Sequence, residues 1–155
     1  MSVQENYILF ELAGAAYAIR SAEVLHIEMI EHVTRVPHSA QAVEGVVFSR
    51  GQVIPAIDLR TRFGLPRQDA TPRSRLIFLK SEGRTVAIIV DSAREFRSFP
   101  SEAIRPIDET LHGVRGNYLK GVFSHGDRLI LILDLAAVLA LDAFPTHPLE
   151  TARTS

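Results

Sequence analysis

Apolar positions along this chain come in short runs, broken at close intervals by glycine, proline or small polar residues. Runs of this length rich in β-branched residues read as strands. YILFEL (7–12), AYAI (16–19) and VLHIEMI (24–30) are predicted strands, parted by Gly14 and by the small segment SAE. After VTRVP, where Pro37 ends pairing, SAQAVEG predicts one or two helical turns with Ser39 as cap and Gly45 as stop. VVF and VIPAI follow as a strand pair around the turn SRGQ, and Asp58 is placed to cap a short helix reaching Phe63. GLPRQDATPRS reads as a loop. The second half predicts strands at 75–80, 84–90, 92–99, 118–123 and 128–133, with turns at SEG and SHGD, and Asp134 capping LAAVLAL. Short strands at this spacing predict an all-β barrel or sandwich with a few short helices.

The pattern recurs. GVVFSRGQVIPAIDL (45–59) lies over GVFSHGDRLILILDL (121–135) without a gap, at an offset of 76. Gly45 meets Gly121, Ile54 meets Ile130, and Asp58 meets Asp134. Upstream, YAIRSAEVLHI (17–27) lies over VAIIVDSAREF (86–96), and ILF (8–10) resembles LIF (76–78). Halves this small bury too little surface to stand alone, so the two are expected to share one core. In the second copy Gly126 stands opposite Arg50. The turn therefore belongs to the repeated unit, and the arginine is an addition to it.

Composition narrows the function classes. At 155 residues the chain fits one domain, and its net charge of −1 gives no overall field toward nucleic acid or anionic membranes. With no cysteine, thiolate catalysis, disulfides and a cysteine-ligated zinc site are excluded. His26, His32 and His38 recur every six residues, which is neither a helical face nor a metal-ligand spacing. No GxSxG elbow or P-loop is present, and Asp58 and Asp134 read as helix caps rather than a catalytic pair. No catalytic residue, metal or cofactor is expected. MSVQENYILF lacks the basic start and apolar core of a signal peptide, and no run is long enough to span a bilayer. A cytoplasmic protein without direct membrane insertion is the expectation.

Two binding readings remain. Arg60, Arg62, Arg67, Arg73 and Arg75 form a basic run, opposed locally only by Asp69, such as a single-strand nucleic-acid-binding barrel would use. Against it stand the absence of tryptophan and the placing of most phenylalanines at core positions. The other reading is a protein-interaction module: Val24, Leu25, Ile27 and the wholly apolar LAAVLAL are either internal core or covered by a partner.

The markers YILFELAGAAYAI, VTRVP, GVVFSRGQVIPAIDLRTRFGLP, VAIIVD, YLKGVF and DRLILILDL, in this order from Tyr7 to Leu141, resemble the bacterial chemotaxis coupling proteins, the CheW-like domain family. The resemblance implies two intertwined five-stranded SH3-like β-barrels sharing a core, in a single domain over 1–141; beyond it DAFPTHPLETARTS (142–155), with two prolines and little periodicity, reads as a mobile tail. It implies a non-enzymatic adaptor between the cytoplasmic tips of chemoreceptors and the regulatory domain of a CheA-type histidine kinase. The family's RG turn falls on Arg50 and Gly51, near the groove that accepts the receptor. Val24 and Ile27 match apolar positions of the strand near that groove, and Gly45 and Gly121 match glycines preceding strands of each repeat. Phe48-Ser49 stands where the family has Asn-Leu, and His26 where an acidic residue is common. These departures lie beside the implied receptor surface, so His26, Phe48 and Ser49 join it as candidates.

Overall fold

Strand after strand here is apolar on both faces, which requires a buried layer on each side of a sheet. A computed structural model of the chain describes residues 3–37, 42–107 and 116–140 and shows how both faces are covered. The strands are β1 (Gln4–Leu12), β2 (Ala15–Arg20), β3 (Val24–Met29), β4 (Val43–Ser49), β5 (Gln52–Asp58), β6 (Arg75–Ser81), β7 (Arg84–Val90), β8 (Ser92–Pro100), β9 (Leu119–His125) and β10 (Arg128–Leu133). Two short helices, α1 (Leu59–Arg62) and α2 (Leu135–Leu139), follow β5 and β10. The strands form two five-stranded sheets, β8–β1–β2–β10–β9 and β3–β6–β7–β5–β4. The fold is all-β, an intertwined pair of SH3-like barrels in which each unit takes two strands from one half of the sequence and three from the other.

The halves superpose by register. β1 and β2 turn at Leu12↔Ala15, and β6 and β7 at Ser81↔Arg84, an offset of 69. β4 and β5 turn at Ser49↔Gln52, and β9 and β10 at His125↔Arg128, an offset of 76. Even the bulges repeat: an extra residue enters β3 at Leu25 and β8 at Arg94, and β4 at Glu44 and β9 at Lys120. Of the upstream matches, YAIRSAEVLHI over VAIIVDSAREF keeps this offset of 69, and only ILF over LIF shifts by one residue, because Ile8 corresponds to Ile77 and not to Leu76 under the hairpin register.

Three apolar clusters follow from alternation. Tyr7, Leu9, Ala16, Ala18, Phe99, Ile130 and Ile132 fill one barrel. Val47, Ile54, Ala56, Leu76, Phe78 and Ala87 fill the other. Residues of opposite parity, Phe10, Leu12, Tyr17, Ile19, Ile57, Ile77, Leu79 and Ile88, join α1 and α2 in the cluster between them. Tyr17, Phe63 and Tyr118 run through it as ring contacts at 5.4–5.6 Å. Arg62 spans the join, stacking over Tyr118 at 4.6 Å and donating to the carbonyls of Ala137, Val138 and Ala140 at the end of α2.

Asp58 caps α1 by accepting from Arg60 N, and Asp134 caps α2 by accepting from Ala137 N, as the repeat predicts. The helix predicted over 39–45 is corrected where it can be seen: Val43–Gly45 is the start of β4. Thr34 and Val46 exchange backbone hydrogen bonds at 2.8 Å, and Gly45 packs beneath Thr34, so pairing overrides the local helical preference. Ser39 lies outside the described residues, as does 142–155. SHGD is a shorter turn than its four letters predict, since β9 continues to His125. α2 is not buried all round, because Ala136 is exposed while Leu135, Val138 and Leu139 are covered.

Candidate partner-binding surface

At the Arg50-Gly51 turn the backbone is left-handed at both central residues, with φ of 50° and 80°. That is the requirement of a type I′ turn, which matches the twist of the strands it joins. Gly51 meets it without a Cβ, and nothing lies within 4 Å of the place a Cβ would occupy. The equivalent turn, Gly126-Asp127, has positive φ only at its first residue, the type II′ pattern. The Arg50 side chain is thus carried on an exposed hairpin tip, and among the described residues it makes no hydrogen bond or ion pair.

Exposed apolar groups stand on both strands of this hairpin and on β3. Phe48 and Val53 face each other across β4 and β5 and are 75% and 67% exposed. On β3 the exposed positions are Leu25, Ile27 and Met29, with Met29 59% exposed. Ile27 sits opposite Ile77, a residue of the shared core, so the outer face of β3 continues that core to its rim. Exposed apolar residues on this hairpin and on β3 make the two strand sets candidates for an interaction site.

Inside the same edge the groups are polar. Glu28 Oε2 accepts from the Ser49 hydroxyl at 2.7 Å. It also lies 2.8 Å from His26 Nε2, an approach without the alignment of a hydrogen bond. The His26 ring stacks on Phe78 at 4.3 Å. β3 and β4 are the two edges of their sheet, so Ser49 and Glu28 close this barrel through side chains instead of a backbone ladder.

The candidates therefore separate. Arg50, Gly51, Phe48 and Ile27 are exposed, whereas Ser49 is buried and His26 is directed inward. Val24 pairs with Leu79 across the bulge at Leu25, so it shares the face of Ile27 and packs there, half-buried, against the shared core. Sequence reasoning left Glu28, Met29 and Val53 out of the site. The alternation of HIEM already put residues 27 and 29 on one face, and a two-residue turn at 50–51 places Val53 opposite Phe48.

Away from the hairpin tip, the arginines of the basic run lie in settled pairs. Arg60 binds Asp91 through two nitrogens at 3.0 and 2.7 Å, and Asp91 also accepts from Ala13 N. Burial pushes the Asp91 carboxyl up, but the Arg60 hydrogen bonds, the Ala13 N–H and the Arg60 charge together outweigh it and hold the group below its ordinary value. Arg67 bonds Glu44 and Asp69, and its hydrogen bond holds the Glu44 carboxyl low. Asp58, desolvated at the foot of β5, is pushed up. Arg73 reaches Glu11, and Arg75 donates to the carbonyls of Pro72 and Ser74. The five arginines of the basic run are thus engaged within the fold, and their acidic partners include Glu11, Glu44 and Asp91 as well as Asp69. They do not form the free cationic track that single-strand binding needs. Among the described residues no helix is long and apolar enough to cross a membrane, and no three histidine, aspartate or glutamate side chains converge as a metal site would require.

Relatives of this chain match most of its span. It is 33% identical over 135 residues to the chemotaxis protein CheW of Bacillus subtilis, covering 87% of this chain and 86% of that one. It is 29% identical over 139 residues to the chemotaxis protein CheW of Klebsiella aerogenes, covering 90% and 84%. Among solved structures, the scaffolding protein TtCheW of Thermoanaerobacter tengcongensis superposes with a TM-score of 0.82 at 24% identity, covering 91% of this chain and 96% of that one. The sequence model of the CheW-like domain matches residues 6–143, and this chain belongs to the CheW-like domain family.

Proposed function

We propose that this chain is a non-enzymatic cytoplasmic adaptor that joins the tips of chemoreceptors to the regulatory domain of a CheA-type histidine kinase. The whole of 1–141 acts as one domain in this role, in chemotaxis or a related chemosensory pathway. The observation that carries the reading is the unpartnered Arg50 on a hairpin that exposes Phe48 and Val53, joined through the Ser49–Glu28 hydrogen bond to the strand that exposes Ile27 and Met29. An amphipathic receptor helix would lay its apolar face on these side chains. Arg50 would meet a carboxylate or helix-end carbonyls, for which its planar fork is better suited than an ammonium. No bond is made or broken in this function. The chain supplies two surfaces in fixed relation, and the second barrel offers the other: Phe96 and Leu129, exposed at 64% and 58%, occupy the positions of Ile27 and Val53. We assign that surface to the kinase.

Arginine at the centre of an apolar surface is a common binding hot spot, and truncation there costs at least 2 kcal/mol, or about thirtyfold in affinity. Arg50→Ala is expected to weaken binding of a chemoreceptor cytoplasmic fragment by about that factor in titration calorimetry, with the melting temperature unchanged. Undiminished affinity would remove Arg50 from the site. Steep, salt-sensitive binding of a single-stranded oligonucleotide would instead favour the nucleic-acid reading.

A further inference from the structure

We propose that Glu28 is a positioning residue, holding β4 against β3 through Ser49 so that Phe48 and Arg50 stand in fixed relation to Ile27 and Met29. The inference rests on the receptor-binding reading above. Its structural basis is independent of that reading: β3 and β4 are neighbours only by the curl of their sheet, and no ladder hydrogen bonds join them. The Ser49 hydroxyl at 2.7 Å from Glu28 Oε2 is a charge-assisted bond across that gap. Each end of it lies next to a surface residue. Ile27 and Met29 flank Glu28, and Phe48 and Arg50 flank Ser49.

The second barrel supports the assignment. Under the repeat, Glu28 corresponds to Arg97 and Ser49 to His125, by the registers Glu28↔Leu76 and Arg97↔Tyr7 and by the two hairpin turns. Arg97 and His125 also meet, with Nη1 3.0 Å from Nε2. Both barrels are therefore closed at the same place by a pair of polar side chains, although the chemistry of the pair has changed.

The test measures affinity for a chemoreceptor cytoplasmic fragment with the full chain and with Glu28→Ala, Ser49→Ala, the double variant and Glu28→Gln. Glu28→Ala and Ser49→Ala should each lose about tenfold, and the double variant no more than either. Glu28→Gln, which keeps an acceptor oxygen for Ser49, should retain most of the affinity. Arg97→Ala, which opens the other barrel, should stay within about twofold of the parent. Parental affinity in Glu28→Ala, additive losses in the double variant, or an equal loss in Arg97→Ala would overturn the proposal. Should the unaltered chain fail to bind the fragment, the receptor reading fails, and amide exchange over 46–49 still decides the latch. Faster exchange in Glu28→Ala and Ser49→Ala, restored in Glu28→Gln, supports it, and unchanged exchange overturns it.

Discussion

Two glycines in this chain do different work, and substitution separates them. Gly45 lies under the Thr34 carbonyl, where a Cβ would overlap the oxygen. Its counterpart Gly121 would bring a Cβ to 2.9 Å from the Arg105 carbonyl oxygen. Each permits the short backbone bridge, Thr34 to Val46 and Arg105 to Val122, that covers the start of a hairpin. Gly51 has open space around it, and only its positive φ selects glycine. Gly45→Ala is therefore expected to cost about 3 kcal/mol through overpacking against backbone. Gly51→Ala should cost about 1 kcal/mol through strain alone. Urea unfolding measures both, and equal losses would contradict the distinction. Arg50 is likewise held at positive φ, but so are Ala13 and Glu82 at two other hairpin tips. Backbone conformation does not mark Arg50 as functional. Its apolar neighbours and lack of a partner do.

Between elements, α1 is pinned to the junction of β7 and β8 by Arg60 and Asp91. Asp91 binds its proton less readily folded than unfolded, so the pair stabilises the fold above the ordinary aspartate range and is lost as pH falls through and below it. Asp58 acts in the opposite sense. Burial raises its carboxyl, so acid relieves a cost and offsets part of the loss. The melting temperature should fall between neutrality and about pH 3, and Asp91→Asn should lower it at neutral pH while flattening its dependence on acid. An unchanged slope in Asp91→Asn would show that the pair contributes nothing. Why the basic run looked unopposed in the sequence is plain at this scale. Its partners Glu11 and Asp91 lie 62 and 31 residues away from Arg73 and Arg60. Hairpins and caps were legible because their signals are local: glycine in a short turn, aspartate before an apolar turn of helix. The first strand of the 43–58 hairpin was misread at its start because alanine, glutamine and glutamate favour helix locally, whereas Thr34 supplies the pairing from outside the segment.

For the molecule as a whole, duplication was visible as two collinear blocks, and the shared core followed from the small size of each half. What the blocks left open was the exchange of strands. Offsets of 69 and 76 differ because the connections between the blocks differ in length, and only the registers show that the two blocks of each half join opposite sheets. The exchange has a functional consequence. Arg62 donates to the carbonyl of Val138, its own counterpart under the repeat, and so locks the two helices at the join. Two surfaces on such a body keep a fixed separation, as an adaptor requires. The most direct measurement is size-exclusion chromatography of the full chain mixed with a chemoreceptor cytoplasmic fragment and a kinase regulatory domain. Elution of all three together, with Arg50→Ala releasing the receptor fragment and retaining the kinase domain, is the predicted result. Mutually exclusive binding of the two partners, or binding of neither, would contradict the adaptor function.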